Sequence, residues 1–362
     1  ANGGAWTSGP MTARAAHGSY QEFAGAIPGY PAGTLVQFYV AATDTRGAQS
    51  FFPARGREAR ALYRVNDGAA NGSPAHTVRI LMTSTDTQRL QAQGNQMSND
   101  RLGATVIYDE SQVFYNLGVG LKGSPYGRAL DPYVSFSINF PGDHLFRGVL
   151  SCIDLDRSGR GQIPSPAQDE ILIKHFMIQA GLPGEYNDLA RVIAPRPENT
   201  SSALLVLGHY TQDYLDSACE NGGDSMLFEF DGIYYPTRTV DGNAQSPKVV
   251  EPSPVSWTDF RDHGDDIEAY RWNFLPKNHR DREDFDGLIA TCKAFSATGS
   301  ALSPAVAQRI DLDEWLRLFA AISLAGVRDV YSGINPHNLM LYARPEDRSE
   351  EHTSELQSLA YL

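Results

Sequence analysis

The sequence predicts an α+β fold of two lobes, preceded by a small all-β sandwich module. Three observations carry this. Residues 1–66 hold short alternating strands between Gly and Pro turns, strands continue after His76, and beyond residue 255 the apolar spacing turns helical. The length of 362 residues suits about two domains.

In the first module, Val36, Phe38 and Val40 alternate to one face of GTLVQFYVAATD, and Asp44 to Gly47 supplies a turn. REARALYRV offers another strand, with Ala61, Tyr63 and Val65 on one side. Residues 67–75 are small and polar and read as a linker. Residues 76–347 then form the main domain. HTVRILMT, ATVIYD and VFYNLGVGLKG are its first strands. QDEILIKHFMIQAG is a helix with Ile171, Leu172, His175, Phe176 and Ile178 near one side, ended by Gly181. SSALLVLGHY is a buried strand and TQDYLDSACENGG a short helix; SMLFEF and IYYP suggest a hairpin around Asp231-Gly232. LDEWLRLFAAISLAG has an acidic start and a nearly all-round apolar second half, as a central helix would.

Composition narrows the function. A net charge of −13 disfavours a nucleic-acid backbone or an anionic membrane as partner. No apolar run reaches the ~20 residues of a membrane-inserted helix. The three cysteines, Cys152, Cys219 and Cys292, show neither CxxC nor Cys/His spacing, so neither a disulfide framework nor a zinc site is expected.

HRDREDFDG, residues 279–287, imitates two protein-kinase signatures run together, but Asp286 stands where the metal-binding Asn belongs. Phe285, Leu288, Ile289, Cys292 and Phe295 instead recur at helical spacing after an acidic start, as in an ordinary amphipathic helix. DLDRSGRGQI, from Asp154, resembles a calcium loop but carries Ser165 in place of the closing Glu, and reads as a charged turn after a strand. His209 in LLVLGHY fits either a core histidine or a hinge residue.

AGVRDVYSGINPHNLMLY, residues 325–342, has the layout of a catalytic loop. Asp329 follows a helix, and Asn338 opens an apolar strand. Equally, Asp329 suits a turn cap and Asn338 a loop amide.

From residue 76 to 347 the chain resembles the CotH kinase family, the spore-coat-protein-H-like atypical protein kinases. The pieces that carry the likeness are GLKGSPYGR, FRGVLSCIDLDRSGR, QDEILIKHFMIQAGLP, ENGGDSMLFE, YRWNFLPKN, DEWLRLFA and RDVYSGINPHNLMLYARPED, in that order. The preceding module is similar to the Ig-like or fibronectin-like modules attached to such proteins. The resemblance implies a two-lobed kinase-like fold that uses ATP and Mg2+ or Mn2+ to phosphorylate Ser/Thr hydroxyls of a protein substrate, secreted or at a bacterial cell surface. It implies Asp329 as the catalytic-loop aspartate, and Asn338, with Asn335 second, on the metal side. Gly120, Lys122, Gly123 and Arg128 fall on the strand and turn over the nucleotide, and Glu170 on the helix that supplies a paired acid. PYVSFSINF lacks the lysine common in the family, which leaves open a non-catalytic, pseudokinase-like adhesion or coat protein.

RSEEHTSELQS, residues 348–358, matches the translation of a common sequencing adapter. Residues 348–362 are accordingly expected to be extraneous. The family's second acidic motif would begin there, so the chain is expected to be truncated before it and to have little or no kinase activity.

Overall fold

The computed structural model describes residues 1–123, 128, 134–157, 167–201, 204–218, 222–234, 237–249, 255–256, 260–327, 330–331, 337–343 and 356–360. Six strands lead: β1 (Thr12–His17), β2 (Tyr20–Ala24), β3 (Leu35–Phe38), β4 (Val40–Thr43), β5 (Gln49–Phe52) and β6 (Ala61–Arg64). They pair as three two-stranded ribbons, β1–β2, β3–β6 and β4–β5. The small sandwich expected here is not formed as such. β1 and β2 are almost wholly exposed, because alternation in TARAAH and YQEFA supplies too few large apolar side chains for two facing layers.

The centre of the molecule is a closed barrel of β7 (His76–Leu81), β8 (Leu102–Tyr108), β9 (Gln112–Lys122), β10 (Ser135–Asn139), β11 (Cys152–Asp156), β12 (Asn187–Ile193) and β13 (Leu204–Gly208). Its order is β10-β11-β13-β12-β7-β8-β9, closed by β9 on β10. All pairs are antiparallel except β7 with β12. The chain is mostly β, and this barrel overturns the α+β, two-lobed kinase-like expectation. β7, β8, β9 and β13 were read correctly as strands and β12 was not, and a run of strands does not say whether its sheet stays open. Here β7 and β8 bridge β12 to β9, so the sheet closes on itself and one face fills the interior. That interior holds Phe114, Leu121, Phe136, Ile153, Leu155 and Val206.

Helices α1 (Ser84–Gln91) and α2 (Ala167–Gln179) lie against the barrel. A second sheet follows, in the order β17 (Phe274–Pro276), β14 (Leu227–Phe230), β18 (Leu339–Ala343), β19 (Leu356–Ala360). β14 does not form the expected hairpin. β15 (Ile233–Tyr234) turns away to pair with β16 (Val255–Ser256), leaving both edges of β14 to β17 and β18. β19 lies in the segment read as extraneous. Its pairing with β18 is a main-chain ladder of the kind that any extended segment can add to an open edge.

Around this sheet pack α3 (Gln212–Ala218), α4 (Glu268–Arg271), α5 (Asp286–Phe295), α6 (Leu302–Ala307) and α7 (Leu312–Ala325). α5 buries Leu288, Ile289 and Cys292 after Phe285, as the stripe predicts. α7 is capped by Asp311, whose side chain accepts from Glu314 N, and by Gly326 in the left-handed region. It is not the all-round buried helix expected. Trp315, Leu318 and Ile322 face the core, while Leu316 and Leu324 face out. Among the described residues no helix is long and apolar enough to cross a membrane.

The first strands dock on the barrel through β6. Leu62 is fully buried, and its N–H donates to Thr105 Oγ1 at 2.9 Å; the Thr105 hydroxyl donates onward to Arg60 O. Arg60 Nε lies 2.6 Å from Asp86 Oδ2. Thr105→Val keeps the shape but strands the Leu62 N–H, so stability falls by about 1–3 kcal/mol. Urea unfolding of the variant measures this, and a loss within ~0.5 kcal/mol of zero contradicts the docking role.

Candidate functional site

Alternation along a strand sends successive side chains to opposite faces. With Val119, Leu121, Phe136, Ile138, Ile153 and Leu155 inside the barrel, the outer face receives the polar residues between them. The pairing register sets Gly120 opposite Ser137, Ser137 opposite Asp154, and Asp154 opposite Leu207. Lys122, opposite Ser135, and Asp156, opposite Leu205, make the neighbouring row. His209 continues the outward alternation one residue past the end of β13.

Asp154 is the centre of this face, with its side chain 1% exposed. Lys122 Nζ lies 2.9 Å from Asp154 Oδ2 and 3.1 Å from Asp156 Oδ2. His209 Nε2 stands 2.8 Å from Asp154 Oδ2 and forms an ion pair with it when protonated. Burial alone would raise the Asp154 carboxyl; Lys122 and then His209 more than offset it and hold it well below the usual carboxylate range. Burial likewise opposes charge on His209, yet Asp154 and Cys152 push it up to about 10. Cys152 Sγ donates to Asn139 Oδ1 at 3.3 Å and lies 3.7 Å from Ser137 Oγ.

The turn after β9 adds cations. A side chain at Gly120 would collide with the Arg101 guanidinium, which crosses the strand there and donates to Ser137 Oγ at 3.0 Å. Gly123 has φ +123°, and Arg128 Nε donates to its carbonyl at 3.1 Å. Burial first, and then the neighbouring Arg101, lowers Arg128 from the ordinary guanidinium value. Neither arginine has a carboxylate partner among the described residues.

α2 reaches this face with a side that the sequence pattern did not pick. Leu172, Phe176 and Ile178 are exposed; Lys174 and Met177 are buried, with Glu170 half-buried. The reason is polar. Lys174 makes a buried ion pair with Glu185, whose other oxygen accepts from Tyr210 OH at 2.6 Å, and this fixes the rotation of the helix. Burial pushes Glu170 up to about 7, opposed by Lys174 and assisted by Asp156.

Five residues singled out in the sequence therefore gather on one side of the barrel: Gly120, Lys122, Gly123, Arg128 and Glu170, the last within electrostatic reach of Lys122. Asn338 stands before β18, in the second sheet, with φ 57°. Asp329 and Asn335 lie outside the described residues. Sequence reasoning missed Arg101 and the grouping of Cys152, Asp154 and His209, whose ligand atoms all lie within 4.8 Å of one another. The alternation of CIDLD was the available signal, since two carboxylates at i and i+2 must share the face opposite Ile153 and Leu155. No protein-family model matches the chain and no curated protein matches it, so the likeness to the CotH kinase family rests on the motifs.

The pH dependence of Glu170 follows from its environment. With a folded value near 7 against an ordinary 4.5, folding takes up a proton between those limits. Stability therefore falls as pH rises from about 4.5 to 7 and is flat above, a loss of up to roughly 3 kcal/mol. Glu170→Gln removes this slope and is the more stable protein at pH 8. Urea midpoints of both proteins across pH 4–8 test this, and parallel curves would refute it.

Proposed function

We propose that the chain is the nucleotide-binding part of an ATP-dependent phosphotransferase acting on protein hydroxyls at or outside the bacterial surface, with little or no turnover of its own. In this reading the nucleotide phosphates lie at the Gly123 turn among Arg101, Lys122 and Arg128. The observation that carries it is the pair of arginines. Two guanidiniums within electrostatic reach of one another, one of them partly desolvated, have no carboxylate partner among the described residues. Such a pair is stabilised by a bound polyanion, and the planar fork of donors suits phosphate oxygens. The reading concerns chemistry on the outer face of a barrel and does not need a two-lobed kinase fold.

The remaining residues have matching parts. Lys122, steadied between Asp154 and Asp156, presents one cation in a fixed position. Glu170 keeps its proton up to about pH 7, so it adds little repulsion toward an anionic ligand. A bound Mg2+ or Mn2+ would neutralise the triphosphate, with Asn338 as the amide that the motif likeness assigns to it. The competing reading is a non-catalytic surface or coat protein. The tie of Lys122 to two carboxylates favours it, because that lysine already has structural partners.

Isothermal titration of the full chain with ATP, with Mg2+ or Mn2+ present, separates the two. Saturable binding is expected, weakened about 10-fold or more by Arg101→Ala and by Arg128→Ala. Lys277→Ala, which removes a remote pair with Glu229, should leave it unchanged. No saturable binding, or binding indifferent to both arginines, would overturn the proposal.

A further inference from the structure

The outer face of β11 carries a second donor set that the phosphate reading does not use. Cys152 and Asp154 are i and i+2 on that strand, and His209 sits beside them just after β13, three ligand atoms mutually within 4.8 Å. Ligands of one tetrahedral zinc ion stand roughly 3.3–3.5 Å apart, given Zn–N and Zn–O bonds near 2.0 Å and Zn–S near 2.3 Å. Closing the gap needs side-chain movements of about an ångström. A second observation points at a missing ligand. Asp154 is 1% exposed, yet its Oδ1 has no hydrogen-bond partner among the described residues. A buried carboxylate oxygen left unbonded is costly, and a cation is its natural partner.

We propose that Cys152, Asp154 and His209 form a binding site for a thiophilic divalent cation of the zinc class. A fourth position is left for water or a ligand oxygen. The donor set selects the metal: thiolate and imidazole favour Zn2+ over Mg2+ or Ca2+, which prefer oxygen alone. Lys122 does not block the site, because Asp156 can retain its ammonium while Asp154 offers the unbonded Oδ1. Cys152 is only partly buried, which gives an entry path. Binding releases the Cys152 thiol proton and the proton on His209 to solvent, and the dication replaces those positive charges. The site stands on its own geometry and does not depend on nucleotide binding.

The test uses the full chain, stripped with a chelator and titrated with Co2+ alone. A thiolate-to-cobalt charge-transfer band should rise to one equivalent and be displaced by Zn2+. Cys152→Ser should abolish the band, and His209→Gln should weaken affinity about 100-fold or more. Cys219→Ser and Cys292→Ser should both keep it; the Cys292 thiol is pushed up to about 12 by burial and cannot serve. Mass-spectrometric mapping of alkylation on the wild type, with and without Zn2+, gives a readout should a variant misfold. Protection of Cys152 supports the site. A folded wild type with no band, a band that survives Cys152→Ser, or equal alkylation of Cys152 with and without Zn2+ would overturn it.

Discussion

One buried carboxylate organises the surface of the barrel. Asp154 sits in the middle of a sheet, flanked by β10 and β13, where an isolated charge would cost several kcal/mol. The neighbouring strands answer it. β9 ends on Lys122, and the chain leaves β13 through His209, so two cations reach the same oxygen from either side. The other oxygen has no hydrogen-bond partner among the described residues.

The same polar constraint explains the orientation of α2. Apolar spacing in EILIKHFMIQ points to Leu172 and Phe176 as the buried side, and a helix on a purely apolar surface would obey it. Here Lys174 must reach Glu185 beneath the helix, and the hydrogen bond from Tyr210 makes that acid a fixed post. Satisfying a buried charge outweighs the burial of one or two more apolar side chains, each worth about 1.5–3 kcal/mol. The helix accordingly presents Glu170 and Lys174 to the barrel and leaves an apolar side to solvent.

Individual strands and helices were legible because their signals are local. β7, β8, β9, β13 and α5 fall where alternation and helical spacing put them. Closure of the barrel was not legible, since it depends on β7 pairing in parallel with β12, more than a hundred residues away. The failed hairpin at Asp231-Gly232 has the same cause, because β14 finds its partners in β17 and β18. Of the site, Lys122, Gly123, Arg128 and Glu170 were found through motif likeness. Arg101 lies before β8 and comes to Gly120 only by strand pairing, and Cys152 meets His209 the same way. Cysteine spacing gave no hint of that meeting, because ligands brought together by a sheet need no fixed separation in sequence.

The claim that Asp154 is held as a charged group chiefly by Lys122 is most directly tested by a double-mutant cycle. Lys122→Met, Asp154→Asn and the double variant are unfolded in urea at pH 7 with chelator present. A coupling of about 2 kcal/mol or more is expected, with the double variant more stable than the summed losses of the two single variants predict. Additivity within ~0.5 kcal/mol would contradict the account, for it would mean that the buried carboxylate does not depend on the lysine beside it.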